Sequence, residues 1–161
     1  GKLAGVSIGA RAASMPSRRS NGFTLVEMLV VLVIAGIIFL TALPGYRHVR
    51  IKSQRTIGKA VLYDVMSRQT QYLINYGHHT TDLRRLGLPA DYYVDSQGRH
   101  SDPGQAIYAI ALRFEDDRFH GVSAVPQNLQ RADAQCLTLT LHADGGRSVS
   151  GSLSALPRRC W

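Results

Sequence analysis

A stretch of 19 residues without a charge, Met28 to Tyr46, constrains this chain more than any other feature. As a helix with a rise of about 1.5 Å per residue it spans about 28 Å, which is close to the hydrocarbon thickness of a bilayer. Arg18 and Arg19 precede the stretch, and such a positive flank favours keeping its own side of the helix in the cytoplasm. The sequence therefore predicts a membrane helix, with the remainder of the chain on the other side.

Glu27 directly precedes this stretch and decides between several interpretations of it. A secretory signal peptide has an apolar core of about 7–15 residues and a small-x-small cleavage site, whereas this core is longer and ends in "TALPGYRHVR". A simple membrane anchor leaves Glu27 unexplained, because a carboxylate in a membrane helix costs about 3 kcal/mol and usually marks function. An acid that only complements the helix N-terminus remains an alternative.

A cut between Gly22 and Phe23 would give Glu27 a partner. Phe23 would then carry a free α-amine, and Glu27 lies four residues further on, one helical turn away on the same face. In a bundle of such helices, the carboxylate of one subunit can meet the amine of its neighbour. Each charge is costly when it is unpaired in an apolar bundle, so pairing across subunits would set the register of assembly.

The segment "GFTLVEMLVVLVIAGIIFLTALPGY" resembles the N-terminal signature of type IV pilins and their relatives. In that family a short basic leader ends in Gly and is followed by Phe, Thr, Leu, Ile or Val, Glu and an apolar helix. The resemblance implies that a prepilin peptidase cuts between Gly22 and Phe23 and methylates the new α-amine of Phe23. It also implies that Glu27 is the assembly carboxylate and that Pro44 bends the helix.

On this interpretation the chain has four segments. Residues 1–22 form the leader peptide, which takes the short basic form "MPSRRSNG" if translation starts at Met15. Residues 23–46 form the hydrophobic transmembrane and assembly helix. Residues 47–77 form an amphipathic helix, and residues 78–161 form a globular β head that contains the disulfide region.

The amphipathic helix is predicted from apolar and small residues that recur at three- and four-residue steps, with charged residues such as Arg55 on the other faces. Pro44 and Gly45 lie where the two helical segments meet, and a proline there removes one backbone hydrogen bond. Gly77 is typical of a helix end. The predicted stripe consists of Ile51, Gly58, Val61, Leu62, Val65, Gln69, Tyr72, Leu73 and Tyr76.

The fold class predicted for the whole is α+β, with three or four antiparallel strands following the long helix. Residues 77–104 are predicted to be a loop that contains a short helical turn in "TTDLRRLG". Strands are expected at 106–114 and 119–127. A hairpin is expected in "CLTLTLHADGGRSVSGSL", where leucines alternate with polar residues and "ADGG" supplies the turn.

Cys136 and Cys160, in a chain with an export-type N-terminus, predict one disulfide in an oxidising compartment. Closing this loop contributes about 3 kcal/mol in a chain-entropy model and holds a tail that otherwise frays. The loop is similar to the C-terminal disulfide loop of type IV pilins. With "YGHHTTDLRRLGLP" and the "CW" ending, it resembles the PilE-type minor pilins of Gram-negative bacteria. Many relatives have an acid near "RTIGKA", where this chain has Gly58 and Lys59.

Catalysis and metal binding find little support in the sequence. The six histidines are scattered and show no HxxxH or HExxH spacing. The loop "DSQGRHSDPG" has too few carboxylates for the ladder of an EF-hand calcium site. We therefore expect no enzyme activity, no metal site and no cofactor.

The charge of the chain leaves a second kind of function open. The net charge of +8 falls to +4 without the first 22 residues, and such an excess does not by itself argue for nucleic acid. Arg158 and Arg159, beside Cys160 and Trp161, form a basic and aromatic tip that is suited to DNA, an acidic partner or a surface. The alternative is a solvated tail with Trp161 packed on the head.

The sequence favours a structural minor pilin of a type IV pilus, with roles in pilus assembly, adhesion or twitching motility. Its expected partners are other pilin subunits, the prepilin peptidase and the inner-membrane assembly platform. Before assembly the chain is expected in the inner membrane with its head in the periplasm, and afterwards on the pilus. Two alternatives remain: a pseudopilin of a type II secretion system, and a membrane-anchored DNA-uptake module that works through the basic tip.

Overall fold

The computed structural model of the chain describes residues 22–161, together with Gly5 and Gly9. The expected start at Met15 and nearly all of the expected leader lie outside the described residues. The chain divides into two compact units, and the boundary between them falls between Leu40 and Thr41.

One helix, α1, spans Leu25–Tyr76 and contains most of both helical segments expected from the sequence. It ends as predicted before Gly77, which has a φ of 77° and donates its N–H to the carbonyl of Leu73 at 2.8 Å. Glycine suits this end because it adopts the left-handed conformation without strain. Pro44 lies inside α1, and the bend expected there stays a prediction.

The head contains a five-stranded antiparallel sheet in which each strand pairs with the next one along the chain. Such a meander needs only short connections, because antiparallel neighbours can be joined by tight turns. The strands are β1 (Tyr92–Val94), β2 (Tyr108–Glu115), β3 (Arg118–Pro126), β4 (Leu139–His142) and β5 (Arg147–Val149). The prediction of an α+β fold with a long helix on an antiparallel sheet is confirmed.

β1 lies in the segment that was predicted to be a loop, and the head therefore has five strands rather than three or four. The prediction was wrong because three residues are too few to show an alternating pattern. Tyr92 and Val94 are nevertheless buried, and β1 pairs with β2 along its whole length. The short helical turn predicted in the same segment is confirmed as a 3-10 helix, Leu83–Leu86.

β4 and β5 form the predicted hairpin, and "ADGG" supplies its turn. His142 donates its N–H to the carbonyl of Gly146 at 2.8 Å, and Gly145 has a φ of 88°. β4 begins later than predicted, because Leu137 has a φ of 48° and donates its N–H to the carbonyl of Asp133. Leu137 therefore belongs to a turn and not to the alternating strand.

The core of the head lies between one face of α1 and the sheet. The predicted stripe is buried from Gly58 to Tyr72, as expected. Ile51 and Leu73 of the stripe are only half-buried, and two further positions differ more strongly from the prediction. Arg55 was placed on an outer face but is buried, and Tyr76 was placed in the stripe but is exposed at the last turn of the helix. The main side chains of the core are Leu62, Val65, Val94, Tyr108, Ile110, Val122, Ala124, Leu139 and Leu141.

Gly58 allows α1 to approach the sheet closely. A Cβ atom at this position would lie 2.7 Å from Cε2 of Tyr108, which is shorter than any ordinary carbon contact. Tyr108 is fully buried in β2, and its hydroxyl accepts a hydrogen bond from Nε2 of Gln130 at 3.0 Å. The ring therefore has no room to withdraw, and glycine is the residue that fits here.

Arg55 forms a buried ion pair that ties α1 to the segment before the disulfide. Its Nε and Nη2 atoms donate to the two carboxylate oxygens of Asp133, both at 2.6 Å. The two side chains are 8% and 1% exposed. The hydrogen bond to Asp133 raises the pKa of the Arg55 guanidinium, against the opposing effect of burial. The N–H of Cys136 also donates to Asp133, at 3.3 Å, so this carboxylate is well satisfied.

The predicted disulfide between Cys136 and Cys160 is present, with 5.9 Å between the two Cα atoms. Both cysteines are buried. The tail beyond it is held as well, because Nε1 of Trp161 donates to the carbonyl of Ser148 at 3.2 Å. The ring of Trp161 meets that of Tyr63 edge-on, with 6.1 Å between centroids. Trp161 is thus packed on the head.

Gly58→Ala is expected to lower the free energy of unfolding of the head by about 1–3 kcal/mol, because the added methyl group overpacks the contact with Tyr108. Gly45→Ala is the matched control, since it is also in α1 and a Cβ there would meet no atom within 4 Å. Urea unfolding of the full chain in detergent, followed by the fluorescence of Trp161, measures both. Destabilisation of the head by the control to the same degree would contradict this account.

Removing one partner of the buried ion pair is expected to be costly, because it leaves an uncompensated charge. Arg55→Met and Asp133→Asn should each lower the free energy of unfolding by about 3–5 kcal/mol, and the Arg55→Met/Asp133→Leu double variant should lose much less than the sum. The same unfolding measurement gives the coupling between the two sites. The exposed pair of Arg68 and Asp64 provides the control, where Asp64→Asn should cost at most about 0.5 kcal/mol. The account would be contradicted if the double variant lost as much free energy of unfolding as the two single variants together.

Candidate functional site

The first unit presents an apolar helix with almost no burial. From Gly22 to Leu40 every residue is exposed except Ala35, which is half-buried. An 18-residue window of α1 reaches a mean hydropathy of 2.7, and none of that window is buried within the chain. Apolar surface of this extent is not left in water. Its cover must come from hydrocarbon or from other helices.

Thr24 fixes the start of this helix. Its Oγ1 accepts the N–H of Glu27 at 3.2 Å, and its carbonyl accepts the N–H of Met28 at 3.1 Å. A threonine followed by a glutamate three residues later is the capping-box spacing, which satisfies otherwise unpaired N–H groups of the first turn. The sequence contained this signal in "TLVE", but our sequence analysis did not use it.

The predicted cleavage and assembly residues all lie at this capped end. Gly22 and Phe23 directly precede the cap, and Glu27 occupies the first turn with its side chain exposed. A cut before Phe23 would leave the Thr24 cap intact and would place the new α-amine at the positive end of the helix dipole. The geometry is therefore compatible with a terminal amine that needs an external carboxylate.

A second candidate surface lies on the head, where two distant parts of the chain meet. Lys52, Thr56 and Lys59 of α1 line a cavity of about 180 Å³ together with the C-terminal residues Arg158 and Arg159. Arg55, Cys160 and Trp161 complete the lining. We call this surface the basic groove. The sequence analysis identified the C-terminal half as a basic tip, but it did not identify the two lysines beside it.

The basic groove has an excess of positive charge that the side chains of residues 22–161 do not balance. Burial, and then the nearby guanidinium groups of Arg55 and Arg147, lower the pKa of the Lys59 ammonium. Asp133 balances Arg55 alone. In the part of the chain that the structure describes, no salt bridge involves Lys52, Lys59, Arg147, Arg158 or Arg159.

The residues considered for metal binding do not converge. His79 stacks on Phe119, with 4.5 Å between ring centroids, whereas Nδ1 of His78 lies 3.0 Å from the carbonyl oxygen of Tyr76. In the loop considered for calcium, Asp95 accepts the N–H groups of Gln97 and Arg99 within its own turn. Among the described residues there is no group of three or more histidine, cysteine, aspartate or glutamate residues able to hold an ion.

Comparison with known proteins connects the capped helix to a family. The family described as the prokaryotic N-terminal methylation motif matches residues 17–43, which include Gly22, Phe23 and Glu27. A fimbrial protein of Neisseria meningitidis is 28% identical to the chain over 80 residues, or 50% of the chain. The chain spans about half the length of this curated relative, 46% of which is covered.

These findings agree with the resemblance seen in the sequence. The motif ends within the exposed part of α1, and the same helix goes on to pack on a five-stranded antiparallel sheet with a C-terminal disulfide. The chain therefore resembles type IV pilins both in its methylation motif and in the α+β arrangement that follows it.

Proposed function

We propose that the chain is a minor pilin, a structural subunit that is built into a type IV pilus or primes its assembly. The observation that carries the proposal is the exposed apolar helix with one carboxylate, Glu27, in its capped first turn. A membrane supplies cover for this helix before assembly, and a bundle of like helices supplies it afterwards. In this proposal the subunit has no catalytic role.

Maturation begins with a prepilin peptidase that cuts between Gly22 and Phe23 and methylates Phe23. The cut removes the basic leader and creates an ammonium at a helix N-terminus, where the helix dipole opposes a positive charge. Glu27 of the neighbouring subunit supplies the missing negative charge. Because each charge alone is costly in an apolar bundle, pairing favours one axial register between subunits.

The proposed location follows from the two ends of the chain. The apolar helix holds the precursor in the inner membrane, with its head in the periplasm, until the assembly platform transfers it into a filament beside other pilins. The Cys136–Cys160 disulfide fits an oxidising compartment such as the periplasm. The fimbrial relative fits a subunit that later becomes exposed at the cell surface.

A pseudopilin of a type II secretion system is the second candidate, because such proteins share the N-terminal signature. The Cys136–Cys160 loop favours a pilus subunit, since the best-known pseudopilins do without one. A pilin-like DNA-uptake module, which would work through the basic tip, is less well supported because Trp161 is already packed on the head.

The maturation step is tested by intact mass and N-terminal fragmentation of the protein from its native host. We expect a chain that begins at Phe23, with one methyl group on its α-amine. We also expect a mass lower by two hydrogens than that of the reduced form, because Cys136 and Cys160 are joined. A chain in functional filaments that still carries its arginine-bearing leader would refute the proposed maturation.

Glu27→Ala is expected to reduce the amount of subunit in sheared filaments at least tenfold. The reason is that the neighbouring amine loses its partner, at a cost of about 3–5 kcal/mol. Val30→Ala is the matched control, because it removes an exposed side chain from the same helix without changing charge. Circular dichroism and the Cys136–Cys160 disulfide should be unchanged in both variants. Normal incorporation of the Glu27→Ala variant would contradict the proposal.

A further inference from the structure

The basic groove holds all of the net positive charge on the described part of the chain. Five basic residues lie in or beside it and form no salt bridge with any described residue: Lys52, Lys59, Arg147, Arg158 and Arg159. From position 22 onward, the other charged residues are ten basic and eleven acidic. The charge excess is therefore concentrated at one place on the head rather than spread over its surface.

An acidic turn lies near the C-terminal end of α1, away from the two lysines of the basic groove. Asp116 and Asp117 connect β2 to β3, and both are exposed. The ring of Phe119, just after this turn, stacks on that of His79, which follows the end of α1. Lys59 precedes Gly77 by 18 residues, and this separation corresponds to about 27 Å along the helix.

The charged neighbours of the acidic turn leave its two aspartates available. Glu115 and Arg118 lie opposite each other in the register of β2 and β3, and Glu115 also lies 3.5 Å from Nε2 of His120. Arg113 also lies in β2, two residues before Glu115 and farther from the turn. Among the described residues, neither Asp116 nor Asp117 forms a salt bridge.

We propose that the basic groove of one subunit receives the Asp116–Asp117 turn of a second copy of this chain. The inference rests on the proposed function as a filament subunit. A contact between two different, complementary surfaces is heterologous, so it joins neighbouring copies in sequence and does not close into a dimer. The groove is open to solvent, so the contact aligns neighbouring heads and weakens as salt rises.

The properties of the groove favour carboxylates over a nucleic acid strand. Proteins that bind single strands combine basic residues with aromatic rings on which bases stack. Trp161 is the aromatic residue of the groove, and its indole N–H and ring edge are already engaged by Ser148 and Tyr63. The groove presents a set of ammonium and guanidinium groups. The carboxylate of Asp133 is already paired with Arg55.

A carbodiimide tests this contact directly, because it joins a carboxylate to an amine in contact with loss of one water molecule. Sheared filaments from the native host are treated, digested and analysed for linked peptides. We expect Lys52 or Lys59 to be linked to Asp116 or Asp117. Such a link must join two copies, because the turn lies beside the Gly77 end of α1, and Lys59 lies about 27 Å from that end along the helix. Lysines linked instead to carboxylates of a different pilin would overturn the inference.

Exchanging the charges of the groove and the turn tests whether the contact between them is specific. Lys52→Glu/Arg158→Glu and Asp116→Lys/Asp117→Lys should each lower the cross-linked dimer per subunit at least fivefold. The combined variant should restore at least half of the original amount, because lysine and glutamate have exchanged places. Asp116→Asn/Asp117→Asn removes the charges with a residue that tolerates the left-handed turn, and it should lose the link as well. Failure of the combined variant to restore the dimer would overturn the inference.

The control variant is Arg84→Glu/Arg131→Glu, which makes the same change in charge at exposed positions outside the basic groove. It should leave the dimer unchanged. The test also separates this inference from the proposed function. A subunit that reaches filaments in every variant with an unchanged dimer refutes the groove contact alone, whereas a retained leader refutes the proposed maturation alone.

Discussion

The structure of this protein depends on apolar surface that the described part of the chain leaves uncovered. Every residue from Gly22 to Leu40 is exposed except the half-buried Ala35. Burial of such surface is worth about 25 cal/mol per Å², so this helix stays in water only at a large cost. A membrane or a bundle of equivalent helices meets the same requirement. Glu27 distinguishes the two environments, because a charge is costly in lipid but can be paired in a bundle.

The head follows different physical rules, because its core is complete within one chain. Gly58 allows α1 to approach Tyr108, and the Arg55–Asp133 ion pair fixes the same helix to the segment before Cys136. Here a buried arginine occupies the helix, and the acid comes from the other side of the contact. Polar contacts that are this well satisfied favour one packing arrangement over others.

Local patterns predicted the parts of the fold that depend on neighbouring residues. The long helix, its end at Gly77 and the "ADGG" turn were all visible in a few adjacent positions. β1 was missed because it is stabilised by pairing with β2 and not by its own three residues. Arg55 was assigned to the wrong face because its partner, Asp133, lies 78 residues away. The residues of the proposed terminal site, Gly22, Phe23 and Glu27, lie within six positions and so form a local pattern. The basic groove instead combines residues about a hundred positions apart.

The disulfide links these long-range features. It closes a span of 24 residues and holds Cys160, and with it Arg158 and Arg159, against the face of α1 that carries Lys52 and Lys59. Like charges repel, so the disulfide and the packing of Trp161 on the head together keep these basic residues close to one another. The bond therefore helps to maintain a concentration of positive charge that electrostatic repulsion opposes. A charge arrangement kept at such a cost is most useful where an external anion completes it.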